Sequence, residues 1–573
     1  MPEAHPVYSD APEPTPASPD SAWISRFAQP PGAAHEGPLS GLRFAVKDNI
    51  DVAGQPTTAA CPDFAYVPSA HASVVERLLQ AGAVLTGKTN LDQFACGLNG
   101  TRSPYGAVPN AFDPAYISGG SSSGSAYVVA TGETDFALGT DTAGSGRVPA
   151  GLNNIVGLKP SRGLIPAHGV FPAARSVDCV SILARTVATA VQVLEAAAGH
   201  DARDPYSRRL PMKTTPLPAH PRIGVPARME CFGDPLSQEA WQQAIRQLQD
   251  LGGTIVPIDY APLAEAAAML YDSALVAERY EAVREFFDAH ADAVIQPVRD
   301  IIAAGRDYSA ADLYRAQHRL QALAQRADAM WADIDLLCVP TAPTHCTIAA
   351  MQAEPVARNR ELGYYTNFVN LLDYAALAVP ACMRGDGLPF GITLIGPAGS
   401  DWQLADVGQR FHHATGLAQG ATGLPLPAPR PIAALQPTPA THLPLAVVGA
   451  HLTGMPLNGQ LIERGAVLAE ATTTAPCYRL YALKGTVPAK PGLRRVAGDG
   501  VAVAVEVWNV PLAAVGGFLA LIPSPLALGS LELADGRWVH GFVCEDHAFS
   551  DAQDVSAYGG WRAYMAARAQ SSA

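Results

Sequence analysis

From about residue 21 to 420, short apolar runs that suit buried strands alternate with segments of helical spacing. "LRFAVKDNI" reads as a strand entering a loop. "SVVERLLQAG" has helical period and stops at Gly82, and "AVLTGKTN" follows as another strand. "TDFALGTD" and "DLLCVP" predict further buried strands, and "VATAVQVLEAAAG" a core helix. Between "SQEAWQQAIRQLQDLGG" and "YRAQHRLQALAQRADAMWADI" the pattern is mostly helical, with Glu/Arg pairs on the outer faces. This rhythm predicts an α/β domain, a mixed central sheet covered by helices on both faces, with the helical section lying over it and closing one side of a pocket.

Residues 421–444 break the rhythm. They are rich in proline, lack periodic hydrophobicity, and predict a semi-rigid linker. Beyond it the pattern turns to β: "PLAVVGAHL", "AVLAEATT", "YRLYAL" and "VAVAVEVWNV" are separated by turn residues, Asn458-Gly459 among them. One helix, "PLAAVGGFLALI", precedes a last strand in "RWVHGFVCED". Residues 445–573 therefore predict a second, smaller α+β domain, a compact barrel. Residues 1–20, acidic and proline-rich without a basic or apolar stretch, predict a flexible tail and not a secretory signal.

Composition narrows the function. The 573 residues are 48% hydrophobic and 16% charged, which describes a packed protein of at least two domains. A net charge of −13 with no basic run argues against a nucleic-acid partner. No uncharged apolar run reaches the ~20 residues a membrane span needs. Nine scattered cysteines without a C-x-x-C pair predict reduced thiols of a cytoplasmic protein. His412-His413 lacks a third ligand at a recognisable spacing, so neither a metal nor another cofactor is expected.

Two glycine/serine loops carry the candidate chemistry. "GGSSSG", residues 119–124, fits a G-x-S-x-G elbow centred on Ser122. However, Asp113-Pro114 spoils the strand that an elbow needs before it, and His168, His200 and His290 have no distinctive setting. A phosphate loop would need Lys followed by Ser or Thr after the second glycine, where Ser125-Ala126 stands. "GTDTAGSGR", residues 139–147, is the second loop and directly follows an apolar strand. Upstream, "AVKDNID" puts Lys47 at a strand end. An apolar setting there would keep its amine neutral, able to act as the base that activates a serine.

Lys47, Ser121 and Ser145 stand 74 and then 24 positions apart. In these motifs and intervals the chain resembles the amidase signature family across roughly residues 40–400. The resemblance implies Ser145 as nucleophile, Lys47 as ultimate base and Ser121 as the relay between them, with a cis peptide bond before Ser121. It implies an oxyanion hole of the Thr142, Ala143 and Gly144 N–H groups, with Ser122 supporting the network. "Ala-Gly-Ser-Gly-Arg" departs from the more usual hydrophobic residue after the nucleophile. In that detail, and in carrying a second domain with "VVGAHLTGMPLNGQL", the chain is similar to the allophanate-cleaving members.

That similarity implies a small carboxylated amide, allophanate, as substrate, acyl transfer without a cofactor, and a homodimer. Other amidases of the family, aliphatic, aryl or amidotransferase-linked, are the alternative. A carboxylate calls for a cation, and "LYDSALVAER" offers Tyr271 and Arg279, eight residues apart and hence on one face of a continuous helix. The second domain resembles a γ-glutamyl cyclotransferase-like barrel, with His451 as its candidate catalytic or binding residue; the alternative is a packing and oligomerisation module in which His451 is structural.

Overall fold

A computed structural model describes residues 18–29, 36–435 and 442–571. The tail expected over residues 1–20 lies outside them up to residue 17, as do residues 436–441 of the expected linker. The chain divides into two compact units, residues 1–436 and 437–573.

The first unit is built on one sheet of eleven strands: β1 (Trp23–Arg26), β2 (Arg43–Lys47), β3 (Val84–Thr89), β4 (Phe136–Asp141), β5 (Val156–Lys159), β6 (Cys179–Ala184), β7 (Arg222–Pro226), β8 (Thr254–Ile258), β9 (Leu336–Pro340), β10 (Tyr374–Met383) and β11 (Pro389–Pro397). Their order is β1-β3-β2-β4-β6-β5-β10-β11-β9-β7-β8. β2 runs parallel to both β3 and β4, whereas β4, β6, β5, β10 and β11 pair antiparallel in turn. The parallel trio brings three strand ends, and the loops that leave them, to one edge of the sheet. Open α/β sheets bind ligands at such edges.

Alternation along β2 sorts its side chains. Phe44 stacks on Phe136 with ring centroids 5.1 Å apart, in a core that includes Leu78 of α1 (Ser73–Gln80). Ala45 turns to the other face, onto Ala126 and Val129 of α2 (Ser123–Ala130). The helices α3 (Arg147–Leu152), α4 (Val187–Ala197) and α5 (Pro235–Asp250) complete the layers. α6 (Ala261–Asp272) and α7 (Ala277–His290) lead into the helical section. α6 packs with the later helix Ala310–Asp328 over Leu337 and Val339 of β9. The section is not wholly helical: "TIVPI" adds β8 to the sheet beside β7, a short edge strand lost between two strong helical patterns.

In the second unit β12 (His442–Val447), β13 (Val467–Thr473), β16 (Ala504–Pro511), β17 (Leu526–Glu532) and β18 (Trp538–Cys544) form a sheet in the order β13-β16-β12-β18-β17. β14 (Tyr478–Ala482), β15 (Pro491–Arg495) and β19 (Gln553–Asp554) form a three-stranded sheet. Just past the two edge strands Thr474 and Leu533 pair in an antiparallel bridge, so the larger sheet curls until its edges meet at one end. Asn458-Gly459 makes no hairpin. Asn458 instead precedes the short helix Gly459–Ile462, and its Nδ2 donates to the His451 carbonyl at 2.9 Å. No helix among the described residues is long and apolar enough to cross a membrane.

Candidate active site

Lys47 is the last residue of β2 and is fully buried. Its Nζ donates to Ser121 Oγ and Thr140 Oγ1, both at 2.7 Å. Burial pushes its ammonium down to about 7, against the opposing pull of the Asp92, Asp178 and Asp141 carboxylates. The Gly120–Ser121 peptide bond is cis. A side chain on Gly120 would lie 2.3 Å from Asp92 Oδ2, so only glycine fits there. Asp92 braces this corner: its carboxylate accepts from the N–H groups of Asn99, Gly100 and Arg102, and its own N–H donates to the Ser121 carbonyl at 3.1 Å.

Ser145 lies on the tight loop between β4 and α3. Asp141, at the end of β4, draws this loop together by accepting from Gly144 N (2.8 Å), Gly146 N (3.1 Å), Arg147 Nε (3.0 Å) and Arg147 Nη2 (2.9 Å). Both side chains are fully buried. Burial opposes the charge on Asp141, but Arg147 outweighs it and holds the carboxyl below its usual range. Gly144 has φ +124, and a Cβ there would meet Thr366 Oγ1 at 2.4 Å.

Ser145 Oγ donates to the Gly97 carbonyl over a long 3.4 Å, and among the described residues no hydrogen bond joins it to the Ser121 hydroxyl that Lys47 holds. Ser122 binds backbone beside this centre. Its Oγ donates to the Thr140 carbonyl (3.2 Å), and its N–H donates to the carbonyl of Ser145 (3.2 Å). It buttresses the loop that carries Ser145. The oxyanion expectation changes in one respect: the Gly144 N–H is already given to Asp141 and is unavailable to a substrate oxygen, which leaves Thr142 and Ala143.

Tyr271 and Arg279 do meet, but not on one helix. α6 ends at Asp272, and Ser273 is extended (φ −144, ψ 176) before a short 3-10 turn and then α7. This break swings α7 so that Arg279 Nη2 reaches Tyr271 Oη at 3.4 Å, with the guanidinium 5.3 Å from the ring centroid. Arg279 is only 4% exposed, and its Nε and Nη1 are buried with no partner among the described residues. A buried guanidinium with idle donors is costly unless something anionic completes it.

Four contributors escape sequence reasoning. Thr140, Asp92 and the Asp141–Arg147 pair are described above. The fourth, Asp178, accepts from Thr142 Oγ1 at 2.5 Å and from the N–H groups of Ala173 and Ala174. The only sequence signal for any of them is position, since Asp92 and Asp141 end or follow the strands that carry the site.

In the second unit His451 is half-buried. Its ring stacks on Phe542 (centroids 5.2 Å apart), and Nε2 shares a 2.9 Å hydrogen bond with Gln460 Oε1. Burial lowers its pKa, and Lys490 adds to that effect. With Lys490, Gly449, Leu526 and Phe542 it lines a small pocket of about 30 Å³.

A family model described as Amidase matches residues 23–405, and one described as Allophanate hydrolase C-terminal domain matches residues 443–566. The urea amidolyase of Lachancea kluyveri is 43% identical over 95% of this chain, which spans 31% of that protein. The urea amidolyase of Saccharomyces cerevisiae is 44% identical over 92% of this chain, which spans 30% of that protein. Among solved structures, Kluyveromyces lactis allophanate hydrolase is 41% identical with a TM-score of 0.71, covering 96% of this chain and 94% of that one. With a buried lysine, two glycine/serine loops at its strand ends and this match over most of its length, the chain belongs to the amidase family.

Proposed function

We propose that the protein is an allophanate hydrolase. The observation that carries this reading is Arg279, a buried guanidinium whose Nε and Nη1 have no partner among the described residues, set beside the Tyr271 hydroxyl. It suits a substrate carboxylate, which arginine binds through two parallel N–H donors. The Kluyveromyces lactis relative and the two-domain match support the same substrate.

Ser145 Oγ attacks the terminal amide carbonyl, and its proton passes through Ser121 to the neutral amine of Lys47. The Thr142 and Ala143 N–H groups receive the developing oxyanion, each worth about 3–4 kcal/mol where donors are preorganised. The proton returns along the relay to the departing ammonia, and water then releases the acyl group as N-carboxycarbamate, which loses CO2. The second unit, a γ-glutamyl cyclotransferase-like module, handles that intermediate at His451, and the enzyme works as a cytoplasmic homodimer.

Ammonia release by the purified protein from allophanate, biuret, malonamide and glutamine tests the reading. Preference for allophanate is expected. Activity on glutamine with none on allophanate would leave an amidase and overturn the substrate. For the second unit, His451→Asn is expected to leave ammonia release from allophanate intact and to slow CO2 formation. Unchanged CO2 kinetics would remove the role of His451.

A further inference from the structure

The loop 171–178 ties the two halves of the site together. At one end the Phe171 N–H donates to the Asn49 carbonyl (2.7 Å) and Asn49 Nδ2 donates to the Phe171 carbonyl (2.9 Å), two residues from Lys47. At the other end Asp178 holds Thr142 through the 2.5 Å bond. Between them Ser176 gives its N–H to Glu278 Oε1 (2.7 Å) and its hydroxyl to Glu278 Oε2 (2.6 Å).

Glu278 directly precedes Arg279 in the first turn of α7. An acidic neighbour could have neutralised that guanidinium. Here both carboxylate oxygens are turned onto Ser176, and among the described residues no ion pair joins Glu278 to Arg279. One contact therefore does two things. It leaves the Arg279 donors free, and it pins the start of α7 to the loop that also holds Thr142.

We propose that Glu278 is a positioning residue for substrate selection: its paired bonds to Ser176 fix Arg279 at a set distance from Thr142 and Ser145. A carboxylated amide held by Arg279 then has its carbonyl delivered to the nucleophile, while an uncharged amide gains nothing from the clamp. This rests on the carboxylate reading of Arg279 given above. A slackened clamp weakens the hold on the substrate carboxylate in ground state and transition state alike, so it should be measurable in KM.

The test compares Glu278→Ala, Glu278→Gln and Ser176→Ala in the full chain, on allophanate and on biuret, its uncharged carboxamide counterpart. Glu278→Ala is expected to raise KM for allophanate about tenfold, to hold kcat within about threefold, and to leave kcat/KM for biuret within about twofold. Glu278→Gln retains an acceptor for the Ser176 N–H and should recover part of the KM. Ser176→Ala removes one of the two bonds, should give a smaller rise, and serves alone if Glu278→Ala does not fold. Where biuret turnover is below detection, the split between KM and kcat on allophanate decides. Equal losses on both substrates, a loss confined to kcat, or an unchanged allophanate KM in every variant would overturn the proposal. Arg279→Ala separates this failure from failure of the carboxylate reading. If wild type turns over allophanate and Arg279→Ala loses it, the reading survives without the clamp; a wild type inactive on allophanate sinks both.

Discussion

Two fully buried lysines stand on neighbouring parallel strands and do different work. In the register of β2 and β3, Lys88 pairs with Val46, so it projects from the face of the sheet opposite to Lys47. Lys88 forms an ion pair with Asp48 at 3.0 Å and donates to Thr57 Oγ1 and the Pro56 carbonyl. Lys47, one residue before Asp48, is hydrogen-bonded, among the described residues, to hydroxyls alone. Burial lowers the pKa of both, but for Lys88 the adjoining carboxylate is the main counterweight. A buried amine with its own carboxylate is a structural cation. A buried amine facing hydroxyls fits the base of the mechanism proposed above, with Ser121 within hydrogen-bonding distance of it.

Single substitutions can break that comparison. The largest effect is expected from Lys47→Met or Ser145→Ala, each lowering kcat for ammonia release by about 10⁴-fold or more, as losing a member of such a catalytic unit does. Lys88→Met should show the opposite profile. It leaves Asp48 buried without its cation and should cost about 3–5 kcal/mol of stability in chemical denaturation, with kcat of the folded fraction retained. A Lys88 variant that loses turnover at full stability would erase the distinction. Arg279→Ala comes next: kcat/KM for allophanate should fall about 100-fold, mainly through KM, because a charged hydrogen-bonded pair is lost.

The smallest effect concerns Asp178. Its carboxylate favours the charged form of Lys47, so Asp178→Asn should move the acid limb of the kcat/KM profile to lower pH. A shift to higher pH would contradict the electrostatic assignment.

Much of this site was legible because its parts are local. The apolar runs before Lys47 and Asp141 mark buried strands, and loops so dense in glycine and serine have no value to a core. Tyr271 and Arg279 were legible as a pair for an incomplete reason: eight residues suggested two turns of one helix, whereas the break at Ser273 brings them together. Thr140 and Asp178 were hidden because they act through tertiary pairing. Thr140 reaches Lys47 through the parallel alignment of β2 with β4, and Asp178 reaches Thr142 across 36 positions of sequence. The resemblance implies a Gly144 N–H free for an oxyanion hole, and nothing local in the sequence shows that Asp141 folds back to take it. β8 was lost for a different reason, since five residues ending at an exposed edge carry too little pattern against the sixteen-residue helix before them.

The central claim is that Lys47 works as a neutral base at ordinary pH. It is tested most directly by the pH dependence of kcat/KM for ammonia release from allophanate, which reports groups of the free enzyme. Activity should rise with pH through an apparent pKa of about 7, as Lys47 loses its proton and becomes able to accept one from Ser121. A limb that appears only near the ordinary lysine value of about 10, or one that persists unchanged in the residual activity of Lys47→Met, would contradict it.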